Sequence, residues 1–139
     1  MADNFIVVIP CGAKKRPGTH RARDLYVGSY FTGCLRYALS IAPENRVFIL
    51  SGKYGLLRLG DKIESYEMML GQPGSVTLAR VKAQAVEFGI QDCACVAVAG
   101  SKYAGMCKSV WKRTATPLAG VGGFGKQLQW MKQNRGRIP

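Results

Sequence analysis

The chain has 139 residues, near the commonest size for one domain, so a core can form without metal or disulfide staples. Its 47% hydrophobic and 20% charged content is that of a globular chain and excludes a disordered or low-complexity array. Twenty Lys and Arg against eight Asp and Glu give +12, more than solubility alone requires, and such an excess attracts polyanions, nucleic acid first among them.

Phe5-Ile6-Val7-Val8-Ile9 is a continuous apolar run stopped by Pro10, the pattern of a strand buried on both faces. Residues 10–28 are polar and basic and read as a loop. Over 29–42, Phe31, Leu35, Ala38, Leu39 and Ala42 recur at helical spacing, and Pro43 stops that helix. Arg46-Val47-Phe48-Ile49-Leu50 is a second buried strand, followed by a glycine-rich loop over 51–60. Residues 61–70 mix acids with apolar residues and fit either class. Ser75 is placed to cap a helix whose apolar face is Leu78, Val81, Ala85 and Phe88, with Gly89 at its end. Ala94-Cys95-Val96-Ala97-Val98-Ala99 is a third strand. A helix from about 102 to 111 turns Tyr103, Met106, Cys107 and Val110 inward. Residues 114–118 fit a short edge strand and 120–125 a flexible glycine segment. A last helix carries Leu128 and Met131 on one face, and 135–139 read as a frayed tail.

Strands that alternate with helices pair in parallel through right-handed crossovers. The expected fold is one α/β domain over 1–139, a three-layer sandwich with a mostly parallel central sheet of about four strands. In such folds ligands bind beyond the carboxyl ends of the strands. No apolar run approaches the ~20 residues of a membrane span. The start, Met1-Ala2-Asp3-Asn4-Phe5, lacks the basic and apolar stretches of a leader. Five cysteines (Cys11, Cys34, Cys93, Cys95 and Cys107) stand at no disulfide-framework spacing. The expectation is a reduced, cytoplasmic protein with no membrane partner; the oligomeric state is left open. Cys93 and Cys95 form C-x-C rather than C-x-x-C, and His20 is the one histidine, so neither a metal nor another cofactor is expected.

Three loops leave the ends of the three clear strands: Pro10-Cys11-Gly12-Ala13-Lys14-Lys15, Ser51-Gly52-Lys53-Tyr54-Gly55 and Gly100-Ser101-Lys102-Tyr103-Ala104. Each combines glycine, lysine and a hydroxyl or thiol. Glycine lets backbone N–H groups approach an anion, and lysine adds a mobile charge. Three such loops on one rim make an anion-binding crevice; the plainer reading is three turns with solvated lysines. None is a G-x-x-x-x-G-K-[ST] loop. Gly-Val-Gly-Gly-Phe-Gly over 120–125 comes too late in the chain for a dinucleotide fingerprint, and fits either a lid closing onto Gln127 or a loop before a helix.

Acids are scarce, and an acid inside a phosphate-binding crevice costs affinity unless it activates water or stabilises a cation. Asp24, Glu64 and Glu67 are the candidates; paired with neighbouring arginines or lysines, they are surface residues instead. Cys11 precedes two lysines at a strand end, a setting that favours the thiolate, although a packed thiol is the simpler reading. Tyr26, Tyr30, Tyr54, Tyr66 and Tyr103 supply rings able to stack on a base.

Ile9-Pro10-Cys11-Gly12 with a following lysine, Asp24-Leu25-Tyr26-Val27-Gly28 with Phe31, Ile49 to Leu56 around Ser51-Gly52-Lys53-Tyr54, and Ile63-Glu64-Ser65-Tyr66-Glu67 together resemble a family of small proteins common in phages and bacterial mobile elements. Pro117-Leu118-Ala119-Gly120 and Gly125-Lys126-Gln127-Leu128 extend the likeness over most of the chain. Members of that family are largely without an assigned function. The pattern also resembles the uracil-DNA-glycosylase-like α/β superfamily. Pro10-Cys11 followed by Lys15, with Tyr26 and Ser29 later, is similar in part to the catalytic pattern of archaeosine synthase, whose lysine acts on a deazaguanine base. Here Lys15 is followed by Arg16 where that pattern has Pro-Tyr, and the water-activating motif of the uracil glycosylases is absent in its usual form.

The resemblance implies a DNA N-glycosylase or related enzyme acting on a modified base, in phage defence or phage DNA modification. Such an enzyme draws the base from the stack into a pocket. Asp24 or Glu64 would then activate water or stabilise the sugar cation. Lys15 or Lys53 would stabilise the departing base or attack the sugar. Cys11, Gly12, Ser51, Gly52, Ser101 and Lys102 would hold phosphates, Tyr26, Tyr54 or Tyr66 would stack on the base, and Glu67 and Gln127 would complete the contacts. The alternative is a non-catalytic module for nucleic acid or nucleotide; a third reading is an enzyme of free nucleotides. The enzyme reading calls for an acid in a concave pocket beside Cys11, Ser51 or Lys53. The module reading puts the acids on the surface, paired with arginines.

Overall fold

The computed structural model describes residues 5–139; residues 1–4, on which the leader expectation rests, lie outside them. Strand β1 (Phe5–Pro10) is the centre of a five-stranded sheet. It pairs in parallel with β3 (Val47–Ser51), Val7 opposite Val47, and with β6 (Ala94–Ala97), Val7 opposite Val96. A two-residue β7 (Thr114–Ala115) continues the parallel arrangement beyond β6. On the other edge β4 (Gly55–Arg58) runs antiparallel to β3, so the order is β4-β3-β1-β6-β7.

The apolar runs are continuous because both faces are covered. Val7, Ile9, Val47 and Ile49 point to one side, against Phe31, Cys34, Tyr37 and Ala38 of α2 (Ser29–Ile41) and Met131 of α5 (Phe124–Gln133). Ile6, Val8, Phe48 and Leu50 point to the other, against Val81 and Ala85 of α3 (Leu78–Glu87) and Ala104 and Cys107 of α4 (Ser101–Val110). The result is a helix–sheet–helix sandwich, as the alternation of elements implies. No helix among the described residues is long and apolar enough to cross a membrane.

Several elements differ from the expectation. All four expected strands form, the third and fourth shorter than read, and β4 is added from the 51–60 segment expected to be loop. Gly55, at φ +76, turns the chain back, after which Leu56 and Leu57 go to opposite faces of the sheet. The 10–28 stretch is not all loop: it holds β2 (Thr19–Arg21) and the single turn α1 (Ala22–Leu25). Strand β2 pairs antiparallel with β5 (Lys62–Glu64) in a separate two-stranded ribbon. Thr77, not Ser75, caps α3: its side chain accepts from the Arg80 N–H at 3.2 Å, whereas Ser75 Oγ accepts from the Gly71 N–H. The tail is pinned rather than frayed, since Tyr37 Oη donates to the Arg137 carbonyl at 2.8 Å and the Gly136 N–H to Ser40 Oγ at 2.9 Å.

From β1 the chain crosses through α2 to β3 on one side, and later through α3 to β6 on the other. The strand order therefore reverses beside β1, and the loops after β1 and β6 part there, leaving a crevice at the carboxyl edge.

Candidate functional site

That crevice is a cavity of about 520 Å³. The loop after β1 supplies Cys11 to Lys14, and the loop after β6 supplies Gly100 to Tyr103. Met69 and the first residues of α2 and α5 close it. Helices α2, α4 and α5 all begin on its rim, behind Gly28, Gly100 and Gly123. None of the three has a side-chain cap or an acid in its first turn. Their first N–H groups and the positive ends of their dipoles are thus left for an anion. Lys14 and Lys102 add charge, and among the described residues no carboxylate lines the cavity. The walls between these groups are apolar and aromatic. Tyr30 and Phe124 stack with ring centroids 4.3 Å apart, and Phe124, at 65% exposed, presents its free side to solvent.

The floor is a buried thiol and its hydroxyl neighbours. Cys11 Sγ lies 3.3 Å from Tyr103 Oη. Behind Gly12, whose Cα faces the Tyr26 side chain, run three more hydroxyls. Ser51 Oγ accepts from the Lys53 and Tyr54 N–H groups at 3.1 and 3.0 Å, so its own proton goes to Tyr66 Oη at 2.7 Å. Tyr66 and Tyr26 share a second bond of 2.6 Å. Three hydroxyl protons and two mutual bonds leave one phenol proton over. Burial first, and then for Tyr66 the neighbouring Cys11, holds the phenols of Tyr26 and Tyr66 well above the usual tyrosine range. Burial and the bond to Cys11 do the same for Tyr103. The cluster holds its protons. Lys15 places its ammonium 4.5 Å from the Tyr66 ring centroid, a cation–π contact.

The expected site residues divide sharply. Cys11, Gly12, Ser101 and Lys102 line the crevice. The second loop does not: Ser51 is fully buried, and Gly52 packs so closely under the 68–70 backbone that a Cβ would sit 2.5 Å from the Met68 carbonyl oxygen. Tyr26 and Tyr66 are interior, with Tyr26 packed on Phe31 at 4.9 Å. Tyr54 Oη donates to the Glu64 carbonyl, and Lys53 sits over the Tyr54 ring. Asp24 pairs with Arg21 at 2.7 Å on the surface, and Glu64 is exposed on β5. Lys15 and Glu67 share a separate hollow of about 140 Å³. Gln127 spends its amide on the protein, accepting from Tyr30 Oη and donating to the Gly122 carbonyl at 2.8 Å, and so fixes the 120–123 turn to α2. Phe124 escaped the sequence reading because it lies inside a run of glycines; an aromatic flanked by glycines on both sides was its signal. Among the described residues no group of His, Cys, Asp and Glu is placed to hold a metal ion.

The chain belongs to a family of unknown function, DUF6884, whose model matches residues 6–133. No curated protein and no solved structure matches it.

Proposed function

We propose that this protein binds nucleic acid and processes a base, as a DNA N-glycosylase or related base-modifying enzyme that draws one nucleotide into the crevice. The observation that carries the reading is the make-up of that crevice: an apolar, aromatic hollow of about 520 Å³ rimmed by two lysines and three uncapped helix starts. A flipped nucleotide has those two halves, a flat apolar base and an anionic phosphate. The ring of Tyr30 or Phe124 would stack on the base, while the helix starts and Lys14 or Lys102 receive the phosphate. The net charge of +12 would gather the flanking strand. The resemblance of the residue pattern to the uracil-DNA-glycosylase-like superfamily suggests the same class; the family that matches the chain has no assigned function. Within the crevice the groups that would reach the sugar carbon are the Cys11 thiol and the Lys14 amine; attack by either would break the N-glycosidic bond, the attacking group's own proton would pass to the departing base, and water would then hydrolyse the sugar adduct to leave an abasic site. Asp24 and Glu64 lie outside it and are given no part.

The second reading, a module that binds without chemistry, is favoured by one observation: the acid expected to activate water is instead ion-paired with Arg21 on the surface.

The test is base release. Duplexes and single strands carrying uracil, 5-hydroxymethyl, glucosylated and deazaguanine bases are incubated with the protein, and abasic sites are cleaved with alkali. Strand breaks that vanish in Cys11→Ser or Lys14→Ala protein are the expected result. Intact strands on every substrate, with salt-sensitive binding retained, would replace the enzyme with the module. Absence of binding to any strand would remove both.

A further inference from the structure

We infer that the cavity beside the crevice is a second nucleotide subsite, so that the ligand is a strand of at least two nucleotides rather than a free one. This rests on the nucleotide reading of the crevice given above.

The second cavity measures about 420 Å³ and lies between α4 and the 116–122 turn. It shares one wall with the crevice, Gly100 and Ser101, where α4 begins. The shared wall places the uncapped amides of α4 between two hollows, each of nucleoside size or more. A phosphodiester has this position by construction, since it joins one nucleoside to the next. Each hollow also has its own cation: Lys102 lines the first and Lys108, six residues further along α4, the second.

Gly105 supplies an independent sign. It stands inside α4, where glycine costs about 1 kcal/mol relative to alanine. A helix glycine is ordinarily explained by a close neighbour, but a Cβ here would meet no atom within 4 Å. Gly105 is exposed and borders both the second cavity and a hollow lined by Leu70, Ser75 and Met106, so its missing side chain leaves open space between the two. The turn opposite is held in place by the Gln127 bond to the Gly122 carbonyl, and the same amide accepts from Tyr30 of the crevice. One buried side chain therefore sets the walls of both hollows. Among the described residues Lys108 is the charged one that lines the second, and no carboxylate does.

Affinities of a deoxynucleoside 5′-monophosphate and of the corresponding 5′-phosphorylated dinucleotide are compared by calorimetry, for the native protein and for Lys108→Gln and Gly105→Leu. The dinucleotide is expected to bind on the order of tenfold tighter than the mononucleotide, the worth of one further buried base and one further phosphate contact. Either variant removes that gain and leaves the mononucleotide affinity in place. A Cβ at 105 meets no atom within 4 Å and leucine raises helix propensity, so a loss of binding is separated from a loss of fold, which circular dichroism verifies. Equal affinity for the two ligands, or variants that weaken both alike, overturns the second subsite while leaving the crevice reading intact. Failure of both ligands to bind overturns the crevice reading, and the subsite with it.

Discussion

The rim of the sheet and the β2–β5 ribbon both carry basic residues and use them in opposite ways. On the ribbon and its α1 extension, charges face water. Arg21 meets Asp24, Arg23 reaches Glu44, and His20 bonds the Pro17 carbonyl. At the rim, lysines stand alone beside uncapped helix starts, and hydroxyls and a thiol are turned inward against one another. Exposed ion pairs are worth little, so the ribbon is electrostatically settled. The rim is left with unbalanced positive charge around an apolar hollow, which is the state of a surface awaiting an anion with an apolar part. The lesson is that at the ribbon two cations are answered by Asp24 and Glu44, while no carboxylate of the described residues lines the crevice.

The comparison breaks most visibly at the glycines. Gly52→Ala puts a Cβ 2.5 Å from the Met68 carbonyl oxygen and 2.7 Å from the Leu70 nitrogen, both backbone atoms that cannot step aside. A loss of about 3 kcal/mol is expected, on the order of 10 °C in Tm. Gly60→Ala, beside the ribbon, meets nothing within 4 Å and should stay within about 0.5 kcal/mol. Urea unfolding of the two variants reads the difference. Equal losses would mean that the 51–55 turn is not held under the 68–70 segment.

How much of this was legible in the sequence depended on whether a residue's role is local. The central strands could be read because Val7-Val8-Ile9 and Val47-Phe48-Ile49 are unbroken apolar runs. Helix α2 could be read because its apolar spacing ends at a proline. Strand β4 could not, since its Leu56-Leu57 pair is short, flanked by glycine and arginine, and is a strand only because β3 is beside it. The same holds for β2 and β5, which define each other. For the site, the loops after β1 and β6 followed from the rule that ligands gather at strand ends, and both line the crevice. The loop after β3 obeys the same local pattern, but Met68 to Leu70 fold over it, a contact between distant segments that no spacing announces. Asp24 and Glu64 were singled out for their rarity, and rarity says nothing of where a side chain points.

A smaller effect separates the regions by pH. Tyr26, Tyr66 and Tyr103 have phenols held above their ordinary value of 10, chiefly by burial. In the unfolded chain they ionise near 10, in the folded one only at higher pH. Below pH 10 both states keep the proton and stability does not depend on these groups. Above it the unfolded state sheds protons that the folded state retains, so stability falls as pH rises. The slope is at most about 1.4 kcal/mol per pH unit for each such tyrosine. Denaturation curves at pH 8, 9.5 and 11 should show a plateau and then a decline. Tyr66→Phe should make the decline shallower, at a cost of about 1–2 kcal/mol at pH 8 for the lost Ser51 and Tyr26 bonds. An unchanged slope in the variant would place Tyr66 outside the buried cluster.

The smallest expected effect is the sharpest for function. The Arg21–Asp24 pair is about half exposed on both sides, so Asp24→Asn should cost less than about 1 kcal/mol, and that difference should shrink in high salt. Removing a negative charge from a protein at +12 should leave nucleic-acid affinity unchanged or slightly higher. Lys102→Gln, equally conservative in size, takes a cation from the rim and should weaken binding and flatten its salt dependence by about one phosphate contact. Filter binding across a salt series distinguishes the two variants. Should Asp24→Asn abolish base release while fold and affinity persist, the reacting centre lies by the ribbon, where the acids are, and the crevice only holds the strand. Should it release base at the native rate, carboxylate chemistry at Asp24 is excluded, and the reacting groups are to be sought at Cys11 and Lys14.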